Sequence, residues 1–428
     1  AAPEQPSGPL AGRDVVLVVV DTLRADHLGL AGYPKDTAPF LGRLAEDGLV
    51  FDRAYSGASW TAPATASLFT GLYPDHHGVV TGLHLHERST DDHEELRLNR
   101  IPSTLRTLPE MMREAGYRTF VAVDNPNLNE EMGFARGFER FAPGSYRGAE
   151  EVNAEVLTWK DELTDPAAER PFFLYLHYMD PHKPYHRREP WYAEEGTPAD
   201  EPWREDAARY DSEINYLDRS IERLFEGLDL SPDALVVVTA DHGEEFGDHG
   251  SSGHGVTVHE ELVKVPLVVS GPEDLVARGR VPYQVTTLDL MPTLRELLGL
   301  PRDQAEEGIS LAPILAGEGS PKQFAGRLLF AHRQYEGKTD SRELHVVLDG
   351  PMRLQWDVGR SEVRLFDLLQ DPGTEKDLSK KRRGEVARLL EVLREHRDRE
   401  RVVEREFAPA RHLSSAEADE LGRLGYTD

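Results

Sequence analysis

Five short, almost wholly apolar runs restrict what this chain can fold into. They are VVLVVVD (15–21), TFVAVD (119–124), FFLYLHY (172–178), ALVVVTAD (234–241) and VPLVV (265–269). Segments with the apolar spacing of helices lie between them. Alternating buried strands and helices predict an open, mostly parallel α/β sheet with helices on both faces. In that architecture, ligands bind beyond the carboxyl ends of the strands.

Three of the predicted strands end in side chains that can bind a cation. Asp21 closes the first run, Asp180 and His182 follow the third, and Asp241 with His242 closes the fourth. Each of these features alone is also typical of an ordinary turn. A carboxylate and an imidazole that face one cation favour Zn²⁺ or Mn²⁺ over Ca²⁺, which prefers oxygen ligands alone.

The stretch TAPATASLFTG (61–71) predicts a helix that begins near Thr61, because Pro63 suits a first helical turn. A helix N-terminus favours an anion through its free N–H groups and dipole. Thr61 is therefore either a helix cap, worth about 1 kcal/mol, or a nucleophile. Sequence spacing alone does not separate these two interpretations.

Composition narrows the classes of partner. The formal net charge of −28 argues against nucleic acid or anionic membranes as partners. An anionic substrate then requires a local metal charge. The absence of cysteine removes disulfides and thiolate ligands. No apolar run approaches the roughly 20 residues that span a bilayer, so no stable membrane insertion is expected. We predict a periplasmic or secreted protein, with the cytoplasm as the alternative.

The character of the sequence changes near residue 325. Short strand candidates such as RLLFAHR, LHVVL and VRLFDL precede a charged helix. That helix carries an apolar stripe at i, i+3, i+4 and i+7, formed by Val386, Leu389, Leu390 and Leu393. We predict two domains: a catalytic α/β domain over 1–325, and a small C-terminal antiparallel sheet with a helix over 326–428, packed on the first.

An ordered set of segments resembles the sulfatase branch of the alkaline phosphatase superfamily. VVVDTLRADHLGLAGY is similar to its opening strand with the first metal aspartate, and TAPATASLFTG to its nucleophile motif. FLYLHYMDPHKPY resembles its middle histidine strand, TADHGEEFGDHG its second metal loop, and LFDLLQDPGTEKDL the end of its C-terminal sheet. The resemblance covers nearly the whole chain and implies an alkaline-phosphatase-like sandwich.

Departures from the family pattern bear on the chemistry. Sulfatases convert a Cys or Ser to formylglycine, whereas Thr61 stands at that position and cannot form the aldehyde. The family's supporting Arg is Thr65, its second aspartate is Thr22, and its metal-site Asn is His242. These differences disfavour a formylglycine mechanism. With them, the sequence resembles the superfamily members that use a threonine nucleophile.

The resemblance to those threonine enzymes implies one divalent metal. Its ligands would be Asp21, Thr61, Asp241 and His242. A second metal is not expected, because the relatives' spacing of an aspartate and a histidine four positions later is not reproduced after Asp180. The second site would otherwise draw on Asp180, His182 or His186, and His254.

The same resemblance suggests residues that contact the substrate. Asn125 would contact a phosphate oxygen, with Asn127 and Asn129 as alternatives, and Lys183 would assist substrate binding. His182 and His254 are candidates for protonating the leaving oxygen. The remaining strand histidine, His177, is interpreted as a core or supporting residue.

The expected function is metal-dependent hydrolysis of a phosphodiester or a phosphonate monoester through a phosphothreonine intermediate. Alternatives are sulfate-ester hydrolysis without formylglycine, phosphotransfer, and a catalytically silent binding protein. The substrate would be a small-molecule, lipid-linked or glycan-linked anionic ester. The specificity loops give no readable chemistry for its alcohol portion, and the sequence does not indicate an oligomeric state.

Overall fold

Two β-sheets organise the part of the chain that the structure describes. The computed structural model describes residues 6–83, 98–165, 167–193, 203–302, 306–318, 321–336, 341–399 and 403–409. The strands are β1 (Val15–Val20), β2 (Gly48–Tyr55), β3 (Asn99–Arg100), β4 (Arg118–Val123), β5 (Arg140–Ala142), β6 (Phe172–Tyr178), β7 (Leu235–Ala240), β8 (Glu245–Phe246), β9 (Ser252–Gly253), β10 (Lys264–Val265), β11 (Leu267–Ser270), β12 (Gly279–Thr286), β13 (Leu328–Glu336), β14 (Ser341–Asp349), β15 (Met352–Asp357), β16 (Glu362–Asp367) and β17 (Glu406–Phe407).

Helices connect these strands. The α-helices are α1 (Pro39–Glu46), α2 (Thr61–Thr70), α3 (Pro74–His77), α4 (Leu108–Glu114), α5 (Ala149–Thr158), α6 (Lys160–Leu163), α7 (Trp203–Leu228), α8 (Glu260–Val263), α9 (Leu290–Leu297), α10 (Ala312–Leu315), α11 (Pro321–Phe324) and α12 (Arg383–Arg397). Short 3-10 turns lie at Ala25–His27, Gly29–Ala31 and Thr287–Asp289. None of the helices described is both long enough and apolar enough to cross a bilayer.

The central sheet confirms the predicted α/β class. Its strand order is β10-β2-β11-β7-β1-β6-β4-β5, with β12 paired to β2. Strands β7, β1, β6, β4 and β5 run parallel to their neighbours, whereas β11 is antiparallel to both β7 and β2. The apolar run 265–269 is split, because Pro266 separates β10 from β11 and has no N–H to donate.

Burial of the middle strands explains their continuous apolar sequence. Every residue of β1, β6 and β7 is buried, as expected for parallel strands covered on both faces. The register pairs Val20 with both Tyr178 and Ala240, so these three strands end at one level. The residues that follow them therefore meet at one edge of the sheet.

The second sheet is an antiparallel meander of β13, β14, β15 and β16. Helix α12 packs on it through Leu389 and Leu393, which are fully buried, while Val386 and Leu390 are partly buried against the same cluster. The predicted apolar stripe thus docks on the small sheet. The domain division at residue 325 stays a prediction.

Replacing Leu393 with alanine should lower the free energy of unfolding by about 2–5 kcal/mol, because it removes a buried side chain and leaves a cavity. The matched control is Leu369→Ala, since Leu369 is 76% exposed, and should change it by no more than about 0.5 kcal/mol. Urea unfolding followed by circular dichroism measures both. Equal effects would show that α12 does not depend on this contact.

Candidate active site

The shared strand edge brings two buried carboxylates together. Asp21 follows β1 and is fully buried, and Asp241 follows β7 and is 2% exposed. Asp241 Oδ1 accepts the backbone N–H of His242 at 2.8 Å and that of Thr22 at 3.4 Å. His242 Nε2 lies 3.5 Å from Asp21 Oδ1 and 3.6 Å from Asp241 Oδ2. The predicted convergence of these side chains is therefore present.

Thr61 is the first residue of α2, and Trp60 occupies the cap position without a side-chain cap bond. The Thr61 hydroxyl donates to Asp21 Oδ2 at 3.3 Å and lies 3.4 Å from His242 Nε2. This hydroxyl faces the carboxylate and imidazole instead of the free N–H groups of its helix. The helix-cap interpretation of Thr61 is therefore wrong.

The donor set fits a divalent cation. The ligating atoms of Asp21, Asp241 and His242 all lie within 4.8 Å of one another. Asp21 Oδ1 and Asp241 Oδ2 are buried without a hydrogen-bond partner. Tetrahedral metal–ligand bonds of about 2.0–2.2 Å place neighbouring ligand atoms about 3.4 Å apart. Two adjacent buried carboxylates without compensating charge are costly, and a cation at this point removes that cost.

The pKa values show the same electrostatic conflict. Burial and the charge of Asp21 raise the pKa of Asp241 well above its usual range. Burial acts to raise the pKa of Asp21 as well, but His177, His182 and His242 together hold it well below its usual range. Burial lowers the pKa of His242 to about 3. Its imidazole is therefore neutral at physiological pH, which is the form that binds a metal.

His177 belongs to this site, although the sequence placed it among core or supporting residues. It is fully buried in β6, and its Nε2 lies 3.5 Å from Asp21 Oδ2 and 3.7 Å from Asp241 Oδ2. Its Nδ1 is held by the Tyr175 hydroxyl at 3.1 Å. The available signal was a histidine near the end of a strand that neighbours an Asp-terminated strand.

The structure distinguishes Asn125 from the two other asparagines. Asn125 Nδ2 donates to Asp21 Oδ2 at 2.6 Å and to Thr61 Oγ1 at 3.2 Å. The Asn127 side chain instead accepts the N–H of Leu83, and the Asn129 side chain accepts that of Met132. Asn125 therefore contacts both Asp21 and Thr61, while its predicted contact with a phosphate oxygen stays a prediction.

A row of histidines extends from the carboxylates. The rings of His242 and His254 are 4.6 Å apart, and those of His254 and His182 are 4.9 Å apart. His254 Nδ1 lies 2.9 Å from Glu244 Oε1. Glu244 was missed from the sequence, although it stands two residues after His242. A carboxylate partner fixes the tautomer and orientation of an imidazole, so Glu244 orients His254.

Burial also perturbs this histidine row. It lowers the pKa of His254 to about 4 and raises the pKa of Glu244 to about 7. Lys183 is exposed, and its positive charge adds slightly to the effect of burial in lowering the pKa of His254. Lys183 therefore stands on the solvent side of the histidines.

Asp180 has a different environment from Asp21. Its Oδ1 lies 3.2 Å from Arg188 Nη2, and Arg188 is also paired with Glu213 at 2.9 Å. Burial and the charge of Glu213 raise the pKa of Asp180 to about 7. Asp180 is thus part of an arginine-centred ion-pair network.

The α/β fold and the family matches identify a hydrolase of the alkaline phosphatase superfamily. Residues 13–300 match the sulfatase family, and residues 247–399 match the C-terminal region of N-sulphoglucosamine sulphohydrolase. The chain therefore belongs to the sulfatase family, and the resemblance in its motifs is confirmed. Members of this superfamily use divalent metals, in agreement with the donor set at Asp21.

Individual relatives span sulfatases and phosphonate hydrolases. The Δ4,5-hexuronate-2-O-sulfatase of Bacteroides thetaiotaomicron is 24% identical and covers 88% of this chain and 86% of its own length. The multifunctional alkaline phosphatase superfamily protein PehA of Trinickia caryophylli is 26% identical over 74% of this chain and 79% of its own. The phosphonate monoester hydrolase of Agrobacterium radiobacter shares the fold, with a TM-score of 0.73, 20% identity, and coverage of 90% and 96%.

Chelation of the metal should destabilise the wild type, and more so as pH rises above about 4. Without a cation, the pKa of Asp241 is higher in the folded protein than in the unfolded chain. The protonated carboxyl group of Asp241 therefore stabilises the fold fully below the ordinary carboxylate pKa of about 3.9. That stabilisation is lost as pH rises through the folded pKa. The lowered pKa of Asp21 affects only more acidic conditions. Melting temperatures at several pH values, with chelator or with added Zn²⁺ or Mn²⁺, measure the difference.

The matched control for this measurement is Asp241→Asn, which keeps the shape of the side chain and removes one of the two charges. Without metal, this variant should be at least as stable as the chelated wild type, and the pH-dependent loss should be reduced. If the chelated wild type keeps its melting temperature across this pH range, the two carboxylates do not require a cation.

Proposed function

We propose that this protein hydrolyses phosphodiesters or phosphonate monoesters, with Thr61 as the nucleophile. The observation that carries the proposal is the position of Thr61 Oγ1, 3.3 Å from Asp21 Oδ2 and 3.4 Å from His242 Nε2. A hydroxyl beside metal-ligating side chains at a helix N-terminus is placed to attack an anionic centre. A threonine cannot be converted to formylglycine, so its own oxygen would have to act.

Asp21, Asp241, His242 and the Thr61 oxygen would hold one divalent metal. Their mixed carboxylate and imidazole character favours Zn²⁺ or Mn²⁺ over Ca²⁺. When bound, the cation supplies Lewis-acid polarisation and neutralises charge on the transferring group. His177 Nε2, at 3.5 Å from Asp21 Oδ2, supports the carboxylate from the sheet side.

The reaction proceeds in two displacements. In the first, the Thr61 hydroxyl gives up its proton to water, and Oγ1 forms a bond to phosphorus while the bond from phosphorus to the leaving oxygen breaks. In the second, water attacks the same phosphorus, and the Thr61 oxygen leaves and regains a proton. The products are the released alcohol and the remaining phosphate or phosphonate acid.

Asn125 and the histidine row provide the polar contacts for these steps. Asn125 Nδ2, which lies 3.2 Å from Thr61 Oγ1, would donate to a non-bridging oxygen of the substrate. The protonated form of His254 or His182, which burial makes scarce at neutral pH, would protonate the leaving oxygen in the first displacement, and the neutral ring would accept a proton from water in the second. Lys183, at the exposed side, would attract the anionic ester.

A sulfate ester is the second candidate substrate. The observation that favours it is the coverage of 88% of this chain by the 24% identical Δ4,5-hexuronate-2-O-sulfatase. In that case Thr61 would attack sulfur by the same displacement.

If an alcohol resolves the intermediate in place of water, the reaction is a transfer, and if neither ester turns over, the chain acts as a binding protein. We propose an anionic ester, either small or linked to a lipid or glycan, as substrate.

The predicted location, periplasmic or secreted with the cytoplasm as the alternative, stays a prediction.

Replacing the Thr61 hydroxyl should abolish turnover. Thr61→Val removes the oxygen but keeps the branched shape, and we expect a loss in kcat of at least about 10³-fold, as for other nucleophile deletions. Thr61→Ser restores a hydroxyl and should retain measurable activity. The measurement compares 4-nitrophenyl phosphodiester, phosphonate monoester and sulfate ester with each variant in excess Zn²⁺ or Mn²⁺.

Rapid acid quench of the wild type should also show Thr61 carrying the transferred group, detected by mass spectrometry of the peptide. If Thr61→Val retains wild-type turnover, another group is the nucleophile and the proposal is wrong. Preference for the sulfate ester with dependence on Thr61 would replace the phosphorus substrate and keep the nucleophile.

The leaving-group acid can be identified by varying the leaving group. The residue that protonates the leaving oxygen should, when changed to alanine, cost about 10²–10⁴-fold on a phenyl ester. The same variant should cost far less on a 4-nitrophenyl ester, because nitrophenolate leaves without a proton. We expect His254→Ala to show this pattern, since Glu244 orients His254, with His182→Ala as the matched comparison. Equal losses on both esters would assign His254 a different role.

A further inference from the structure

A second group of metal-ligating side chains lies between α3 and the small sheet. It consists of Asp75 from α3, His332 from β13 and His345 from β14, and we call it the Asp75 cluster. His332 and His345 are direct cross-strand partners, so their side chains share one face of the sheet. Their rings stack at 4.6 Å with an interplanar angle of 26°. The carboxylate of Asp75 faces both rings.

The spacing of the Asp75 cluster is that of metal ligands. Asp75 Oδ1 lies 3.5 Å from His332 Nδ1, and Asp75 Oδ2 lies 3.6 Å from His345 Nδ1. These separations exceed an ordinary hydrogen bond and fit neighbouring ligands of one tetrahedral ion, at about 3.4 Å. At the active site, the distances from His242 to the two carboxylates are likewise 3.5 and 3.6 Å.

Burial makes this arrangement costly without a cation. The side chains of Asp75, His332 and His345 are only 14%, 5% and 1% exposed. Asp75 Oδ2 is buried without a hydrogen-bond partner. Burial also lowers the pKa of His332 well below its usual range, so this ring does not provide a positive charge at neutral pH. A bound cation would compensate the carboxylate.

The surroundings of His345 match those of a metal-bound histidine. Its Nε2 lies 2.8 Å from Glu343 Oε1, while Nδ1 faces Asp75. Glu343 is held in turn by Arg397 of α12. A ligating histidine commonly donates its second ring N–H to a carboxylate, which fixes the ring and increases its basicity.

Two other groups of histidines and acids in the described residues differ from the Asp75 cluster in their nitrogen–oxygen distances. His76 Nδ1 lies 2.7 Å from Glu307 Oε2, and His249 Nδ1 lies 2.7 Å from Glu261 Oε1. These are ordinary hydrogen-bonding distances. Imidazole and carboxylate already satisfy each other there, whereas Asp75 lies 3.5 and 3.6 Å from the two ring nitrogens of its cluster.

We propose that Asp75, His332 and His345 bind a second divalent transition metal of the zinc class, separate from the active-site ion. Three protein ligands leave a fourth position for water, on the partly exposed side of Asp75. This ion would connect the small sheet to both ends of α2. Asp75 follows the end of α2 closely, and the His332 N–H donates at 3.0 Å to Gly57 O in the segment that leads to Thr61.

Equilibrium titration of metal-depleted protein with Zn²⁺, followed by mass-spectrometric metal analysis, tests this site. The wild type should retain two equivalents after desalting. Asp241→Asn should lose the active-site ion and retain one equivalent. Asp75→Asn should also retain one, and the double variant should retain none. Glu307→Gln, in the neighbouring hydrogen-bonded group, is the matched control and should keep both equivalents.

Zn²⁺ should also raise the melting temperature of Asp241→Asn but not that of the double variant. If Asp75→Asn binds as much Zn²⁺ as the wild type, or if Asp241→Asn retains none, the proposed site does not exist. A wild type that binds one equivalent, which Asp75→Asn loses and Asp241→Asn keeps, would retain this site and overturn the active-site ion instead. His345→Gln serves as the second variant should Asp75→Asn fail to fold. The Zn²⁺ equivalents bound by the wild type and by Asp241→Asn are measured without Asp75→Asn or His345→Gln. The test therefore remains decisive if one of those two variants fails to fold.

Discussion

The electrostatic repulsion between Asp21 and Asp241 is the constraint that the surrounding structure has to meet. These two buried carboxylates lie at the ends of neighbouring parallel strands. Their shared position follows from the fold, since β1 and β7 pair in register and end at one level. Neither charge is solvated, and Asp21 Oδ1 and Asp241 Oδ2 have no hydrogen-bond partner. Such a pair is stable when one carboxylate keeps its proton, as the raised pKa of Asp241 indicates, or when a cation lies between them. The cation proposed for this point would therefore stabilise the fold as well as take part in the chemistry.

The backbone conformation beside Asp21 directs a hydrogen-bond donor towards the second carboxylate of this pair. Thr22 has a φ of 61°, which is costly for a β-branched residue. The turn lets the Thr22 N–H face Asp241 Oδ1, while its carbonyl accepts the Tyr210 hydroxyl at 2.6 Å. Tyr210 also accepts the N–H of Arg24 at 2.8 Å. A buried tyrosine of α7 thus holds the strained segment in place, and this strain fixes the direction of Asp21.

The features of the structure that depend on local sequence patterns were predicted from the sequence. Apolar runs located β1, β6 and β7, and the acidic residues at their ends located the site. Strand direction was not readable, because periodicity carries no direction, and so the antiparallel β11 was not anticipated. His177 was predicted as a core or supporting residue, and it is fully buried beside Asp21 and Asp241. The Asp75 cluster left no local signal, since its three residues come from α3, β13 and β14, which only tertiary packing brings together.

The small sheet bears on the proposed reaction because it contacts the segment that precedes Thr61. The His332 N–H donates to Gly57 O, and the Arg333 guanidinium lies 5.2 Å from the ring centre of Trp60, the residue before Thr61. A displacement of about 1 Å at a reacting atom can cost about 10²-fold in rate. Because β13 supports the start of α2, an error in the packing of the small sheet would move the Thr61 hydroxyl away from Asp21. In the proposed reaction, the C-terminal part of the chain would therefore act through the position of the Thr61 oxygen.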